Sequence, residues 1–283
     1  YRIPDGTMID PNRYLVFYED TDFNKPVDPC CLIPFALSEN GDEACLSSPL
    51  DPNEMLTGYR EVEGFGASRT NVSLGRYFKS STGNFNFVAM DYNTPDTNNA
   101  YPKVGPIVIN EIMYNPPTGN QNEEYIELHN IAGAAVTLYR FEGKNAPWKF
   151  TDGIDFTFPE DVPVTIPAGG YLLLVKKPEA FAWRYPTVPV EKILGPYSGK
   201  LNNGGERLQL SMPGDVDESG TRYYIRVDRV GYSDGFHPED CPGGVDLWPS
   251  ETDGGGKSLT RKTDADYGND PDNWTASAPS PGL

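Results

Sequence analysis

The sequence predicts an all-β protein, a sandwich or a barrel, with at most one short helix. The 283 residues include 29 glycines and 27 prolines, about a fifth of the chain where ~12% is usual, so turns are frequent and long helices are not expected. Hydrophobic residues make up 37% and aromatic residues 12%. That is enough apolar side chain for packed cores, and it argues against global disorder.

Short apolar runs broken by turn residues are the third observation that predicts this fold. Each run is rich in β-branched or aromatic side chains and is flanked by Gly, Pro, Asn or Asp. In chain order the predicted strands are Tyr14–Tyr18, Ile107–Ile109, Tyr125–Leu128, Tyr171–Val175 and Tyr223–Val227. One helix of at most two turns is predicted from Pro178 to Tyr185, because proline suits a first helical turn.

An internal duplication predicts two copies of one domain. Three blocks occur twice, in the same order and at similar spacing. The paired blocks begin at Ile3 and Phe158, at Leu37 and Leu201, and at Ser73 and Ser258. The third block aligns Arg76 with Arg261 and Phe87 with Trp274.

The two copies are predicted to be unequal in length. Copy two has a front section, from Ile107 to about Phe150, that has no counterpart in copy one. We therefore expect residues 1–103 to form the C-terminal part of a first β-sandwich and residues 104–283 to form a complete second one. The missing strands would leave an open sheet edge. We expect a strand of another copy or domain to occupy that edge, or the segment Cys30–Pro34 to cover it.

Five segments carry a family resemblance. They are INEIMYNPP from Ile109, EYIELHN from Glu124, the run Phe156–Phe181, LNNGGERLQL from Leu201, and the closing segment Ser258–Gly282. In these segments the chain resembles the lamin-tail domain family, in its bacterial extracellular branch. The resemblance covers about Val104–Gly282 as a whole domain and Ile3–Pro95 as the latter part of another, truncated at its N-terminal side.

The resemblance implies tandem immunoglobulin-like β-sandwiches of the lamin-tail type. In bacteria such domains resemble accessory modules of large secreted or cell-surface proteins. The resemblance implies no catalytic residues, and the motifs that carry it consist of packing and turn residues, which say little about chemistry.

The net charge of −18 limits the partners that we expect. Such a chain repels phosphate backbones and anionic headgroups, so nucleic acid is not an expected partner. No run approaches the ~18 apolar residues of a membrane helix, so no membrane insertion is expected. The acidic, Asn- and Gly-rich, lysine-poor composition favours an extracellular or cell-surface location.

Four cysteines, Cys30, Cys31, Cys45 and Cys241, are too few for a disulfide scaffold. Adjacent cysteines rarely bond each other, because the backbone geometry strains that ring. We therefore expect Cys30 or Cys31 to pair with Cys45 as a local staple. Free buried thiols are the alternative.

The two histidines give little support for catalysis or zinc. His129 follows a predicted strand, where an edge or surface position is expected. His237 with Asp240 and Cys241 resembles part of a zinc site, but a fourth ligand at suitable spacing is missing, so an ordinary loop is the preferred interpretation. Since no nucleophile elbow, phosphate loop or dinucleotide fingerprint is present, we predict that the chain is not an enzyme.

Two glutamates on neighbouring predicted strands, Glu111 and Glu127, could form a carboxylate pair. Such pairs serve general acid–base chemistry when a shaped pocket holds them apart from solvent. Nothing in the sequence indicates such a pocket. We therefore expect these carboxylates to bind backbone groups or an arginine.

Calcium is the one cofactor that the sequence leaves open. The segment Gly214–Gly220 places oxygen ligands at alternate positions of a flexible loop, as hard-cation sites do, although no bidentate glutamate follows as in an EF-hand. A second acidic cluster lies near the C-terminus, where Asp and Asn also cap turns. The candidate calcium ligands are Asp215 and Asp217 in the first loop, and Asp264, Asp266 and Asp270 in the second cluster.

The leading functional hypothesis is a non-catalytic spacer, adhesion or assembly segment, one form of which is a filament built by strand exchange. The expected partners are other copies of the chain or other domains of its parent protein. One alternative is a carbohydrate- or ligand-binding module, with Trp148, Trp183 and Trp248 as candidate stacking residues. The other alternative is an accessory domain of a secreted enzyme whose catalytic part lies outside this chain.

Overall fold

The structure is a computed structural model and describes residues 1–49, 51–53, 55, 57–141 and 145–283. The chain divides into two compact units. The first unit consists of Tyr1–Tyr77 with Phe87–Pro102, and the second of Phe78–Asn86 with Lys103–Leu283. The change of unit after Pro102 lies one residue from the boundary expected between residues 103 and 104. That residues 1–103 are the latter part of a sandwich stays a prediction.

The described residues of the first unit form two strand pairs, of which the first is antiparallel. Strand β1 (Gly41–Ser47) pairs with β2 (Arg60–Gly66). Strand β3 (Leu74–Lys79) pairs with β4 (Asn84–Ala89), and the tip of this pair belongs to the second unit. A π-helical turn spans Glu19–Phe23.

The predicted strand Tyr14–Tyr18 is wrong, since residues 1–40, all of which are described, contain no strand. The run is apolar and aromatic, as strands are, but an extended segment needs a neighbour to satisfy its backbone groups. Its counterpart in the duplication, Tyr171–Val175, pairs with a strand on each side. No strand of the described first 40 residues offers the Tyr14–Tyr18 run such a neighbour.

The expected disulfide staple is also wrong, because all four cysteines are free. Cys31 is buried, and its thiol donates a hydrogen bond to the carbonyl oxygen of Phe23. Cys45 lies exposed on β1, and its thiol donates a hydrogen bond to the carboxylate of Glu43. The two thiols that the staple would join therefore occupy different environments.

Between Lys103 and Leu283, the described residues form thirteen strands and one α-helix. The strands are β5 (Ile107–Met113), β6 (Tyr125–Asn130), β7 (Val136–Thr137), β8 (Tyr139–Arg140), β9 (Ala146–Pro147), β10 (Lys149–Asp152), β11 (Thr165–Ile166), β12 (Tyr171–Val175), β13 (Ile193–Leu194), β14 (Gly205–Val216), β15 (Arg222–Ser233), β16 (Ser258–Arg261) and β17 (Trp274–Ser277). Helix α1 spans Pro178–Arg184. The predicted all-β fold with one short helix is confirmed.

Short 3₁₀ turns occur between these strands, at Gln121–Glu123, Val190–Lys192, Pro238–Asp240, Pro242–Gly244, Ser250–Thr252 and Pro271–Asn273. Among the described residues, no helix has the length and apolar character that a membrane crossing requires.

The main sheets of the second unit have six and three strands. The six-stranded sheet has the order β13-β12-β6-β5-β16-β17, and the three-stranded sheet has the order β10-β14-β15. All pairs in these sheets are antiparallel except β12 with β13. The remaining short strands form the pairs β7 with β11 and β8 with β9.

One apolar core lies between the six-stranded and the three-stranded sheet. It includes Ile109 and Leu128 from the first sheet, Leu208 and Val230 from the second, and Trp274 on the last strand. Because successive side chains of a strand point to opposite faces, a strand in this position has a second set of side chains facing away from the core.

The opposite face of the six-stranded sheet is covered as well. In β12, Leu172 and Leu174 belong to the main core, whereas Leu173 and Val175 belong to a second cluster with Phe181 of α1. The six-stranded sheet is therefore buried on both faces. This explains why polar side chains on its inner strands are fully enclosed.

Candidate functional site

Seven acidic side chains are buried among the described residues of the second unit: Glu111, Glu123, Glu124, Glu127, Asp228, Asp234 and Asp270. Four of them, Glu111, Glu124, Glu127 and Asp228, connect strands of the main sheets to other strands or loops. Acidic side chains are seldom fully buried unless they are paired. Buried acids with shifted pKa values are candidates for functional sites. Their hydrogen-bond partners decide between a catalytic and a structural role.

Glu111 on β5 lies directly opposite Glu127 on β6. One carboxylate oxygen of Glu111 accepts hydrogen bonds from the Tyr125 hydroxyl at 2.7 Å, from the Ser280 backbone N–H at 3.0 Å, and from the Ser258 hydroxyl. The carboxylate therefore joins strands β5, β6 and β16 to the segment that follows β17.

Glu127 binds the same C-terminal segment two residues further on. Its Oε2 accepts a hydrogen bond from the Gly282 N–H at 2.6 Å, and its Oε1 accepts one from the Asn110 side-chain amide at 2.8 Å. Burial raises the pKa of Glu127 to about 7, although the bonds from Gly282 and Asn110 oppose the shift. Both Glu111 and Glu127 bind backbone amides, so the expectation of backbone pairing is confirmed.

Glu124 holds a different loop. Its Oε2 accepts hydrogen bonds from the Tyr197 hydroxyl at 2.8 Å and the Leu201 N–H at 2.9 Å, while its buried Oε1 has no hydrogen-bond partner. Burial raises the pKa of Glu124 to about 7. The carboxylate fixes the loop before β14 to the beginning of β6.

We expect the second unit to be more stable at pH 5 than at pH 8, in part because of Glu124. Folding raises the pKa of Glu124 to about 7. Its contribution to the free energy of unfolding is therefore complete below the unfolded pKa near 4.5 and is lost as the pH rises through about 7. Glu124→Gln mimics the protonated form. At pH 8 the variant should be more stable than the parent by up to roughly 3 kcal/mol, with little difference at pH 5. Urea denaturation at both pH values measures this, and equal effects at both would contradict it.

Asp228 and Arg261 form a buried ion pair between the two main sheets. The Arg261 guanidinium donates to Asp228 on β15, and its Nε donates to the Ile109 carbonyl of β5 at 2.9 Å. Asp228 also accepts from the Ile109 N–H at 2.8 Å. Burial raises the pKa of Asp228, and the positive charge of Arg261 opposes this shift. The pair ties strands of both sheets together.

The hydrogen bonds of these buried acids indicate a structural role. Every partner named above is a backbone group, a hydroxyl, an amide or an arginine of another strand or loop. The arrangement can hold strands and loops in register, and it can take up protons near neutral pH where the pKa is about 7.

The first calcium candidate loop is closed by its own hydrogen bonds. The Asp217 carboxylate accepts from the Ser219 hydroxyl at 2.6 Å, the Thr221 N–H at 2.9 Å and the Tyr223 hydroxyl at 3.1 Å, and these bonds lower its pKa. Asp215 forms an ion pair with Arg140 at 3.0 Å. The two aspartates have separate partners.

The second candidate cluster is dispersed over three environments. Asp264 lies 3.1 Å from Nδ1 of His129. Asp270 caps the turn Pro271–Asn273 and accepts a hydrogen bond from the Ser81 hydroxyl at 2.5 Å. The carbonyl oxygen of Asp266 accepts from Arg261.

Among the described residues, one group of three side chains has metal-ligand atoms within 4.8 Å of one another, and it consists of His237, Glu239 and Asp240. None of the five calcium candidates belongs to it. The sequence suggested His237, Asp240 and Cys241 as part of a zinc site. It did not suggest Glu239, which the turn Pro238–Asp240 places beside the histidine. Exposed acidic groups of this kind are common without a metal.

Calcium binding at Asp215 and Asp217 stays a prediction. If the loop binds calcium, millimolar calcium should raise the melting temperature, because a ligand that binds only the folded state stabilises it. Asp217→Asn should abolish the increase, whereas Asp264→Asn should leave it unchanged. A melting temperature that calcium and chelator both leave unchanged would contradict the prediction.

The three tryptophans proposed for carbohydrate stacking do not lie on one surface. Trp148 and Trp248 belong to the main core with 6% and 9% of their surface exposed, whereas Trp183 on α1 is 77% exposed. The sequence-based support for a stacking platform is therefore lost. His129 is also not at the surface as expected, since it is buried and stacks on Tyr171 at 4.2 Å.

Residues 101–234 match the family model described as Lamin Tail Domain. The matched segment contains strands β5 to β15, and β16 and β17 follow it. No curated protein and no solved structure matches the chain. The family match supports the lamin-tail resemblance for most of the second unit.

Proposed function

We propose that this chain is a non-catalytic structural and interaction segment of a secreted or cell-surface protein. The observation that carries the proposal is the Lamin Tail Domain match at residues 101–234, in a β-sandwich whose buried acids hold strands and loops. The acidic, lysine-poor composition supports the location. A role as spacer, adhesion or assembly module follows from this proposal.

We further propose that the two units are tandem copies. Matching turn geometry supports this. Gly41 begins β1 with a φ of +113°, and Gly205 begins β14 with a φ of +114°. A Cβ atom at either glycine would approach the facing backbone too closely, at 2.9 Å from the Phe65 oxygen and 2.5 Å from the Tyr232 oxygen. At both equivalent positions a glycine avoids the clash that a side chain would make with the facing strand.

A matching ion pair also supports the tandem arrangement. Arg76 and Arg261 occupy equivalent places in the duplicated third block. Each binds an acid on the long strand that precedes it in the chain, Glu63 on β2 in one case and Asp228 on β15 in the other. In both copies the arginine joins a strand of the third block to the strand that directly precedes it in the chain.

Exposed apolar side chains of the first unit support a role in assembly. Its exposed large hydrophobic residues include Met8, Val27, Leu32, Ile33 and Met55. Exposed apolar side chains mark interaction surfaces where they lie together, and Leu32 and Ile33 are neighbours in the chain. We propose that this unit binds another copy of the chain or another domain of the parent protein.

Light scattering after size-exclusion chromatography tests the assembly proposal. We expect the molar mass of the purified chain to rise with concentration. The double variant Leu32→Ser/Ile33→Ser should weaken the association, whereas Val162→Ser, an exposed apolar residue of the second unit, should not. A series of increasing masses would support a filament, and a closed dimer would exclude one. A monomer at all concentrations up to about 0.1 mM would contradict self-assembly.

A further inference from the structure

The C-terminal segment, residues 278–283, crosses the outer face of the six-stranded sheet, and we call it the strap. Two acids beneath it hold its backbone, Glu111 through the Ser280 N–H and Glu127 through the Gly282 N–H. Lys192 donates to the Gly282 carbonyl oxygen at 2.7 Å. Pro281 and Gly282 are buried.

We propose that the strap is a pH-dependent latch, closed over Glu111 and Glu127 when Glu127 is protonated and released as Glu127 ionises. This inference goes beyond the proposed structural role, because it assigns a conformational switch to one face of the second unit. It rests on the position of both acids under the strap and on their enclosure by it.

The charges around the two acids favour release on ionisation. Glu111 and Glu127 are direct neighbours across β5 and β6. The other titratable groups that act on this pair are Tyr125, Tyr171, Tyr185 and Lys192. The tyrosines are neutral near pH 7, so an ionised Glu127 has Lys192 as its one cation among these groups.

The direction of the effect follows from linkage. With the strap closed, burial holds the pKa of Glu127 at about 7. With the strap released, water reaches the carboxylate and its pKa returns toward the ordinary value of about 4.3. The closed state therefore binds more protons between these values, and rising pH favours release.

Hydrogen exchange tests the latch. We expect the protection factor of the strap amides, corrected for intrinsic exchange, to fall about tenfold or more between pH 5.5 and pH 8.5. Mass spectrometry of a peptide that includes residues 278–283 measures it, and a peptide from β5 and β6 monitors the fold. Glu127→Gln should keep the protection nearly constant over this range.

Glu124→Gln is the matched control. The pKa of Glu124 is also about 7, but its bonds go to Tyr197 and Leu201 instead of the strap. This variant should lose strap protection with pH as the parent does. The proposal is overturned if the parent shows equal strap protection at both pH values, or if the two glutamine variants respond alike. Either result leaves the assembly proposal untouched, because the latch consists of residues of the second unit and the assembly proposal rests on residues of the first.

Discussion

Replacing Arg261 with alanine is expected to lower the free energy of unfolding of the second unit by about 3–5 kcal/mol. The Arg261 side chain is fully buried. Its removal would leave the buried Asp228 carboxylate without its cation and the Ile109 carbonyl without its Nε donor. An uncompensated buried charge is among the most destabilising changes that a substitution can make.

Urea denaturation followed by tryptophan fluorescence measures this effect. All four tryptophans lie between residues 148 and 274, so the signal reports on the second unit. Arg207→Ala is the control, since Arg207 also pairs with an aspartate but is 58% exposed. Exposed pairs contribute about 0–1 kcal/mol. Similar losses for the two variants would show that the buried pair does not hold the sheets together.

Local sequence signals predicted the second unit better than the first. The run Tyr171–Val175 is a strand with those bounds, and helix α1 ends one residue before its predicted end. The same kind of signal failed at Tyr14–Tyr18. Propensity describes how well a residue fits a pleated surface, whereas strand formation also requires a partner strand. Partner strands are a property of the whole fold and are not visible in a local run.

For the buried acids, too, the sequence predicted some features and missed others. The sequence placed Glu111 and Glu127 on neighbouring strands and predicted backbone groups or an arginine as their partners. It could not identify Ser280 and Gly282 as those partners, because the strap reaches the sheet more than 150 residues later. From the sequence, Arg261 is only a position that aligns with Arg76 in the duplicated third block. The presence of an arginine at both equivalent positions was the sequence signal that could have indicated a structural ion pair in each copy.

Trp274→Ala is expected to destabilise the second unit by about 3–5 kcal/mol, as truncation of a large buried aromatic residue does. Trp274 is buried on β17 in the main core, and its indole N–H donates to the Gly268 carbonyl at 2.8 Å. The substitution would remove the largest fully buried side chain among the described residues and leave that carbonyl without its donor. Urea denaturation followed by far-ultraviolet circular dichroism measures the loss.

The duplication supplies the control for this prediction, because it aligns Trp274 with Phe87. Trp274→Phe keeps an aromatic ring in the core and loses mainly the indole hydrogen bond, so it should cost less than the alanine variant. Arg261 lies over the Trp274 ring, 5.2 Å from its centroid. Residues in contact do not destabilise additively, so the double variant Arg261→Ala/Trp274→Ala should lose less stability than the two single losses together. Strict additivity would mean that the last strand and the buried ion pair stabilise the sandwich independently.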